Sequence, residues 1–577
     1  MKKLLVYLKA YKKESVLAPL FKLLEAFFEL LVPLVMAGII DSGIENGDRG
    51  YILKMGICLI VLAVVGLTAS VTAQFFAAKA AVGLSTKLRH AMFGYIQDME
   101  FSDIDRAGTS TLITRMTSDI NQVQNGVNMV LRLFLRSPII VFGAMIMAFT
   151  IDVKCALVFV VAIPLLAIVV MGITFFTIPL YKKVQAGLDK VLSTTRENLT
   201  GVRVIRAFHR EEQEEAQFHE ENTALLHLQQ FVGKISACMN PVTYVIVNVA
   251  IIVLIYTGAV QVNVGNLSRG EVVAILNYMS QILVELVKLA NLIITITKAL
   301  ACADRVAAVF EIQEEKPIVE TSMGRKTQGE PYLVFDHVSL TYLGAGAETL
   351  KDIDFVVNKG ETVGIIGGTG SGKSSLVNLL PGFYPTTEGS VRLEGRDLKE
   401  MPVEELRGRM GVVPQKAVLF KGTIRSNLLW GNPDATDEDL WQALSLAQAR
   451  EVVEGKDGKL DAEIAQNGRN LSGGQRQRLT IARALVRQPE ILILDDSASA
   501  LDYATDAKLR SALRGMEGSM TIFIVSQRAS SIRHADKIIV LDDGEMAGIG
   551  THEELLEHCA VYQEIYYSQY PEERKQA

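Results

Sequence analysis

Gly364-Ile365-Ile366-Gly367-Gly368-Thr369-Gly370-Ser371-Gly372-Lys373-Ser374-Ser375 is the stretch from which the fold of this chain can be read outward. The pattern G-x-x-x-x-G-K-[ST] falls on Gly367, Gly372, Lys373 and Ser374. The apolar run Thr362–Ile366 precedes it and Leu376–Leu380 follows, so the order is strand, loop, helix. Successive backbone N–H groups of such a loop form a concave anion site, Lys373 can reach β- and γ-phosphates, and the Ser374 hydroxyl suits Mg²⁺. An ordinary glycine-rich turn is the competing reading, and the rest of the chain decides between them.

The C-terminal part supplies the matching frame. From Tyr332 to Ala577 short apolar runs alternate with helical segments: Tyr332–Phe335, Phe355–Val357, Thr362–Ile366, Ser390–Leu393, Met410–Val413, Ile491–Leu494, Thr521–Val525 and Lys537–Leu541. This pattern predicts an α/β domain over 332–577. The run Ile491–Leu494 ends in Asp495-Asp496. A carboxylate at a strand's C-terminal end beside a phosphate loop is placed to hold Mg²⁺ through water, a role for Asp495, and Asp496 is placed to polarise an attacking water. A turn explains an isolated Asp-Asp equally well. Upstream, 313–331 is rich in Glu, Lys, Gly, Thr and Pro without apolar periodicity and reads as a linker.

The N-terminal part, 1–312, is different in kind. The chain has 577 residues, 49% hydrophobic and 21% charged, which is too long for one core and apolar enough for a membrane protein. Stretches able to cross a bilayer lie at roughly Val16–Ile40, Tyr51–Ala78, Val127–Thr150, Val153–Pro179, Ile235–Val262 and Val272–Ala299. Basic residues gather in the N-terminus, in Lys79–Arg115 and in Lys182–Lys234, and the positive-inside rule makes these segments and both termini cytoplasmic. Helical spacing of Leu112, Met116, Ile120 and Val123, and of Val202, Ile205 and Phe208, predicts that the spans continue as helices beyond the membrane. The turns near Asp103–Gly108 and Gly201–Arg210 are then expected to press on a cytoplasmic domain. Met1–Lys13, with five lysines among apolar residues, reads as a short amphipathic helix on the inner membrane surface rather than a cleavable leader. The net charge of −6 points to no nucleic-acid partner, and the five cysteines lack metal-binding spacing.

Leu471-Ser472-Gly473-Gly474-Gln475, upstream of Ile491, removes the ambiguity at both Gly367 and Asp495. At this point the chain resembles the ATP-binding cassette (ABC) transporters, over its whole length. The resemblance implies a membrane all-α six-helix transmembrane domain followed by an α/β phosphate-loop nucleotide-binding domain with the ABC helical subdomain. That is the plan of an exporter-type half-transporter, expected in a bacterial plasma membrane and using ATP and Mg²⁺. It implies that Tyr342 stacks on adenine and that Gly367, Gly368, Thr369, Gly370, Ser371, Gly372, Lys373, Ser374 and Ser375 hold the phosphates. Gln415 would sense the γ-phosphate and, with Ser374 and Asp495, serve the metal, while Asp502 lies in the loop after the second strand. It also implies head-to-tail pairing of two cassettes, in which Leu471, Ser472, Gly473, Gly474 and Gln475 complete the partner's site.

Two positions depart from the family pattern. Where the family has a glutamate as general base, this chain has Asp496, one methylene shorter. Where it has a switch histidine, Ile524-Val525-Ser526-Gln527-Arg528 carries Gln527, which donates a hydrogen bond but cannot become a cation. A smaller departure is Gln466-Asn467-Gly468 in place of Glu-Arg-Gly. Together they predict an own site that binds ATP and hydrolyses it poorly, in a heterodimer with a second, different half-transporter. A homodimer with slow turnover and a nucleotide-gated regulator or channel are the alternatives. Cargo of amphipathic or apolar character, drugs or lipids, follows from the resemblance alone. Glu25, Glu29, Arg132, Arg136, Glu285, Lys288 and Asn291 lie in or near apolar spans. They read either as a cavity or as internal struts, with Glu25 and Glu29 facing Arg132 or Arg136 and Lys288 snorkelling to the surface.

Overall fold

The computed structural model describes residues 4–312, 331–516 and 520–575, so most of the predicted linker lies outside the described residues. The chain divides into two compact units. One comprises Met1–Gln97 and Thr109–Ile312, and the other comprises Asp98–Gly108 and Gln313–Ala577.

The first unit is helical: α1 Lys12–Gly38, α2 Arg49–Gln97, α4 Thr109–Thr114, α5 Ile120–Leu133, α6 Arg136–Ile151, α7 Val153–Ala207, α8 Glu211–Ala237, α9 Met239–Val264 and α10 Arg269–Val309. α3, Phe101–Ala107, belongs to the second unit. Among the described residues there are six helical runs long and apolar enough to cross a membrane. Several are far longer than the ~20 residues a bilayer needs, and α2 and α7 continue without a break for 49 and 55 residues. Asp152 starts α7 by accepting from the Cys155 amide, and Ser268 with Glu271 forms a capping box at α10. The end of α1 passes into a π-helical segment, Ile39–Ile44, whose Asp41 accepts from the Ser268 hydroxyl at 2.5 Å and the Gly270 amide at 2.7 Å. A Cβ on Gly270 would come within 2.3 Å of the Ala37 carbonyl oxygen, so only glycine permits this junction. The packed interior of the unit includes Leu30, Val141, Phe159, Leu166, Leu254, Tyr278 and Ile282. Val61, Leu67, Val161, Ile168 and Ile252 face outward, the inverse of a water-soluble surface.

Two segments read from the sequence gain detail here. The N-terminal segment Leu4–Tyr11 is a 3₁₀ turn packed on α2: a Cβ on Gly83 would strike the Tyr11 ring, and the Lys87 ammonium lies 5.6 Å from that ring's centre. α7 continues to Ala207, as the helical spacing of Val202, Ile205 and Phe208 predicted, and Val202 and Phe208 are exposed among the described residues.

In the second unit a six-stranded sheet has the order β12-β11-β3-β10-β9-β6. Its members are β3 Thr362–Gly367, β6 Met410–Val413, β9 Ile491–Asp495, β10 Thr521–Val525, β11 Lys537–Asp542 and β12 Glu545–Gly550. β6, β9, β10, β3 and β11 pair in parallel and are almost wholly buried, as uninterrupted Ile/Leu/Val runs require. A four-stranded antiparallel sheet follows the order β2-β1-β4-β5, from β1 Leu333–Leu340, β2 Leu350–Val357, β4 Glu388–Leu393 and β5 Arg396–Asp397. β1 is longer than its sequence-predicted core because a register shift between Phe335 and Val338, with His337 at φ 47°, carries the strand past a polar interruption. β7 Gly422–Thr423 and β8 Glu463–Ile464 form a two-residue pair. Around them a second core, with Leu440, Leu444, Leu479 and Ile481, holds the helical subdomain.

The segment Asp98–Gly108 is part of this unit, as the turn near Asp103–Gly108 suggested. The Phe101 and Phe383 rings lie 4.5 Å apart with the Arg407 guanidinium over both, and the Tyr384 hydroxyl donates to Asp105 at 2.5 Å.

Candidate active site

The parallel sheet explains why distant residues meet. β10 lies between β3 and β9, so the segments leaving the C-terminal ends of these three strands converge on one edge, where open α/β sheets bind ligands. A cavity of about 360 Å³ there is lined by Thr369, Gly370, Gly372, Lys373, Ser374 and Ser375 after β3 and by Gln415 after β6. Asp495 and Asp496 line it from β9, Ser526 and Gln527 from β10, and Thr349 from the loop before β2.

The loop Gly367–Gly372 wraps with Gly370 and Gly372 at φ 88° and 91°. A Cβ at Gly372 would lie 2.9 Å from the Thr349 carbonyl oxygen, while Gly368 and Gly370 face open space. Lys373 opens α11, Lys373–Leu379, and its ammonium donates to the carbonyls of Gly367 at 3.0 Å and Gly368 at 2.5 Å. It also lies 3.3 Å from the Ser371 hydroxyl. Burial pushes the Lys373 ammonium below its ordinary value. The Ser374 hydroxyl donates to Asp495 at 2.9 Å, a hydroxyl and a carboxylate side by side, which is the hard-oxygen donor set that suits Mg²⁺.

Burial raises both carboxyls above their usual range; the Ser374 hydroxyl opposes this at Asp495 and a hydrogen bond from Gln415 opposes it at Asp496. Asp496 stands at φ 43°, its amide donating to the Val525 carbonyl at 3.0 Å. Aspartate is among the few residues other than glycine that settle in this left-handed region. Gln527 is exposed at the rim, its backbone carbonyl accepting from Gln569 at 2.8 Å. Tyr342, after β1, donates to Ser375 at 3.0 Å and meets the Tyr384 ring edge-on at 4.9 Å.

Leu471, Ser472, Gly473, Gly474 and Gln475 do not line this cavity. Ser472 caps the helix Gly473–Val486, and Gln475 closes the reciprocal bond to the Ser472 amide at 3.0 Å. Gly474 sits where a Cβ would lie 3.1 Å from the Ala500 carbonyl oxygen, whereas Gly473 faces open space. Asp502 accepts from the Thr505 amide at 2.9 Å and caps the helix Tyr503–Arg514. Thr349 and Ser526 are cavity residues that sequence reasoning did not single out. Ser526 carried a signal, since it follows β10 directly, while Thr349 carried none.

The family comparisons agree with this arrangement. A model described as the ABC transporter transmembrane region matches residues 15–286, and one described as ABC transporter matches residues 350–499. The chain is 35% identical over 577 residues to the uncharacterized ABC transporter ATP-binding protein YfiB of Bacillus subtilis, covering 99% of each. It is 30% identical to the putative multidrug export ATP-binding/permease protein YgaD of the same organism, with 98% of each covered. A solved bacterial Atm1-family ABC exporter with ATP bound shares the fold at a TM-score of 0.79 and 23% identity, with 97% of this chain and 98% of that one covered.

The chain therefore belongs to the ABC transporters. Within that family it is a half-transporter of the exporter plan, with six apolar spans followed by one α/β nucleotide-binding domain.

Proposed function

We propose that this chain is one subunit of a heterodimeric ATP-driven exporter whose own nucleotide site binds ATP with Mg²⁺ and hydrolyses it slowly. The observation that carries this reading is that both departures from the family pattern, Asp496 and Gln527, line the same cavity as Lys373 and Ser374. A carboxylate one methylene short stands about an ångström or more from the position a glutamate would occupy, and misplacement on that scale costs ~100-fold in rate. Gln527 donates a hydrogen bond without the charge of an imidazolium. Phosphate binding has no comparable gap: Gly370, Gly372 and Lys373 line the cavity, Lys373 would exchange its backbone carbonyls for phosphate oxygens, and Tyr342, bonded to the cavity residue Ser375, would offer its ring to the base. Ser374 and Asp495 would hold Mg²⁺, which bridges phosphate oxygens and neutralises charge developing there.

The segment Leu471–Gln475 then serves the partner's ATP. Ser472 already orders the first turn of its helix through Gln475, and Gly473 leaves room for a facing surface. Nucleotide-driven pairing would move Asp98–Gly108 and with it the spans. Both termini lie in the cytoplasm of a bacterial cell by the charge rule. Cargo is amphipathic or apolar, in keeping with the multidrug export named for YgaD. A homodimer with two slow sites is the second reading, favoured by the presence of both halves of a composite site in one chain.

The test is ATPase activity of the chain copurified with its associated half-transporter. Asp496→Asn should change turnover less than about twofold, and replacing the partner's glutamate base by Gln should lower it ~100-fold or more. Comparable loss from Asp496→Asn, or full activity of this chain alone, rejects the heterodimer in favour of the homodimer.

A further inference from the structure

A second cavity, of about 500 Å³, opens within the first unit between α1 and α10. Its polar wall continues into an alternating chain of charges. Lys288 donates to Glu285 at 2.8 Å, Glu285 accepts from Arg136 at 2.6 Å, and Arg136 donates to Glu29 at 2.6 Å. Ser137 gives Glu285 a further bond at 2.8 Å. Lys22, Glu25 and Arg136 extend the chain on the α1 side, with Lys22–Glu25 at 2.5 Å and Glu25–Arg136 at 3.8 Å. Lys22, Arg136 and Lys288 balance Glu25, Glu29 and Glu285, so the assembly as a whole is neutral.

The interior members are consumed by one another: Arg136 is 7% and Glu285 3% exposed. The ends are different. Glu29 is 38% and Lys288 42% exposed, both line the cavity, and they carry opposite signs. Glu29 has one oxygen on Arg136, and the Gln281 side-chain oxygen is buried with no hydrogen-bond partner at the same wall. Val32 and Met36 supply an apolar flank. A polar stripe on a membrane helix is costly unless paired or wetted.

We infer that this cavity between α1 and α10 is a binding site for an amphiphile with a zwitterionic headgroup. Its anionic group meets Lys288, and its primary ammonium meets Glu29. A simple cation or a simple anion would add net charge to a ladder that is already neutral, whereas a zwitterion adds none. A primary ammonium is preferred to a quaternary one because the Glu29 carboxylate accepts hydrogen bonds that a quaternary ammonium cannot donate. The headgroup belongs either to a membrane lipid or to a soluble amphiphile. The inference rests on the reading of the chain as a transporter of amphipathic compounds. Its test uses no nucleotide, so a failure of the ATP-site asymmetry cannot imitate its failure.

The experiment is calorimetric titration of the purified transporter, held in uncharged maltoside detergent, with dodecylphosphoethanolamine, dodecylammonium and dodecyl phosphate, three probes of one tail. The zwitterion should bind at least ~10-fold tighter than either ion. Lys288→Gln should weaken the zwitterion ~10-fold and turn the preference toward dodecylammonium, and Glu29→Gln should turn it toward dodecyl phosphate. Because Glu29→Gln disturbs Arg136, Ser280→Leu provides a variant outside the ion pairs that fills the cavity. It should weaken the zwitterion by a similar factor. A two-chain phosphatidylethanolamine binding tighter than the single-chain probe marks a membrane lipid as the ligand, and weaker binding marks a soluble amphiphile. Equal affinity for all three probes, equal loss of all three in Lys288→Gln, or no effect of Ser280→Leu would overturn the inference.

Discussion

Asp495 and Asp496 stand next to each other in the cassette cavity, while the nearby Lys373 ammonium is occupied by backbone carbonyls. In the membrane unit, by contrast, Glu285 and Glu29 are each bound directly to Arg136 at 2.6 Å. The first arrangement holds charges apart and ready for a highly charged ligand and its metal. The second neutralises charge internally and leaves only its two ends open. The difference follows from the surroundings: at the cassette site burial disfavours both carboxylate charges, which are held by hydrogen bonds from Ser374 and Gln415 and so are ready for a cation, whereas an apolar helix bundle demands direct ion pairs.

Lys373→Ala makes the sharpest break in this comparison. It removes the cation reserved for phosphate and should lower nucleotide affinity or turnover at this site by ~100-fold or more, read with a fluorescent ATP analogue, while folding is retained. Arg136→Leu should do the reverse, leaving nucleotide binding in place while Glu29 loses its cation and the buried Glu285 keeps only Lys288. The expected loss is about 3–5 kcal/mol, read as early unfolding or aggregation in detergent. If Arg136→Leu is tolerated without loss, water reaches the cluster and the contrast fails.

Asp495→Asn sharpens the cassette side. Burial disfavours the Asp495 charge, so without nucleotide the variant should be as stable as the parent or more so, by about 1 kcal/mol at most, and MgATP should no longer stabilise it. The same sign governs pH. With the folded carboxyl raised above its unfolded value of 3.8, the folded state takes up the proton first. This carboxyl therefore adds stability to the nucleotide-free state as pH falls through the raised value, and removes it as pH rises. The smallest effect is expected for Tyr384→Phe, which removes the bond to Asp105 and keeps the ring against Tyr342. Thermal unfolding should report a loss of about 1 kcal/mol.

Much of this architecture was legible because its signals are local. Six long apolar runs, a glycine-rich loop between strand and helix, and Leu471–Gln475 each state their own physics within a few residues. The membrane charges were legible only as alternatives. Glu25 and Glu29 share one helix face, but their partner on α6 is chosen by packing. Glu29 takes Arg136 instead of Arg132, and Lys288 bonds Glu285, a partner the sequence reading did not assign to it. Thr349 was illegible, since nothing in its neighbours announces that Gly372 will close against its carbonyl.

The sequence by itself determined the two-part plan, the spans, the phosphate loop and the two substitutions at Asp496 and Gln527, because periodicity and loop chemistry are written within short windows. Only the tertiary structure decided that Asp496 adopts a left-handed backbone beside Gln415, that Thr349 closes against Gly372, and that Lys288 and Glu29 become the open ends of one neutral ladder. Those outcomes depend on which strands and helices are neighbours, a property of the whole packing and of no single stretch.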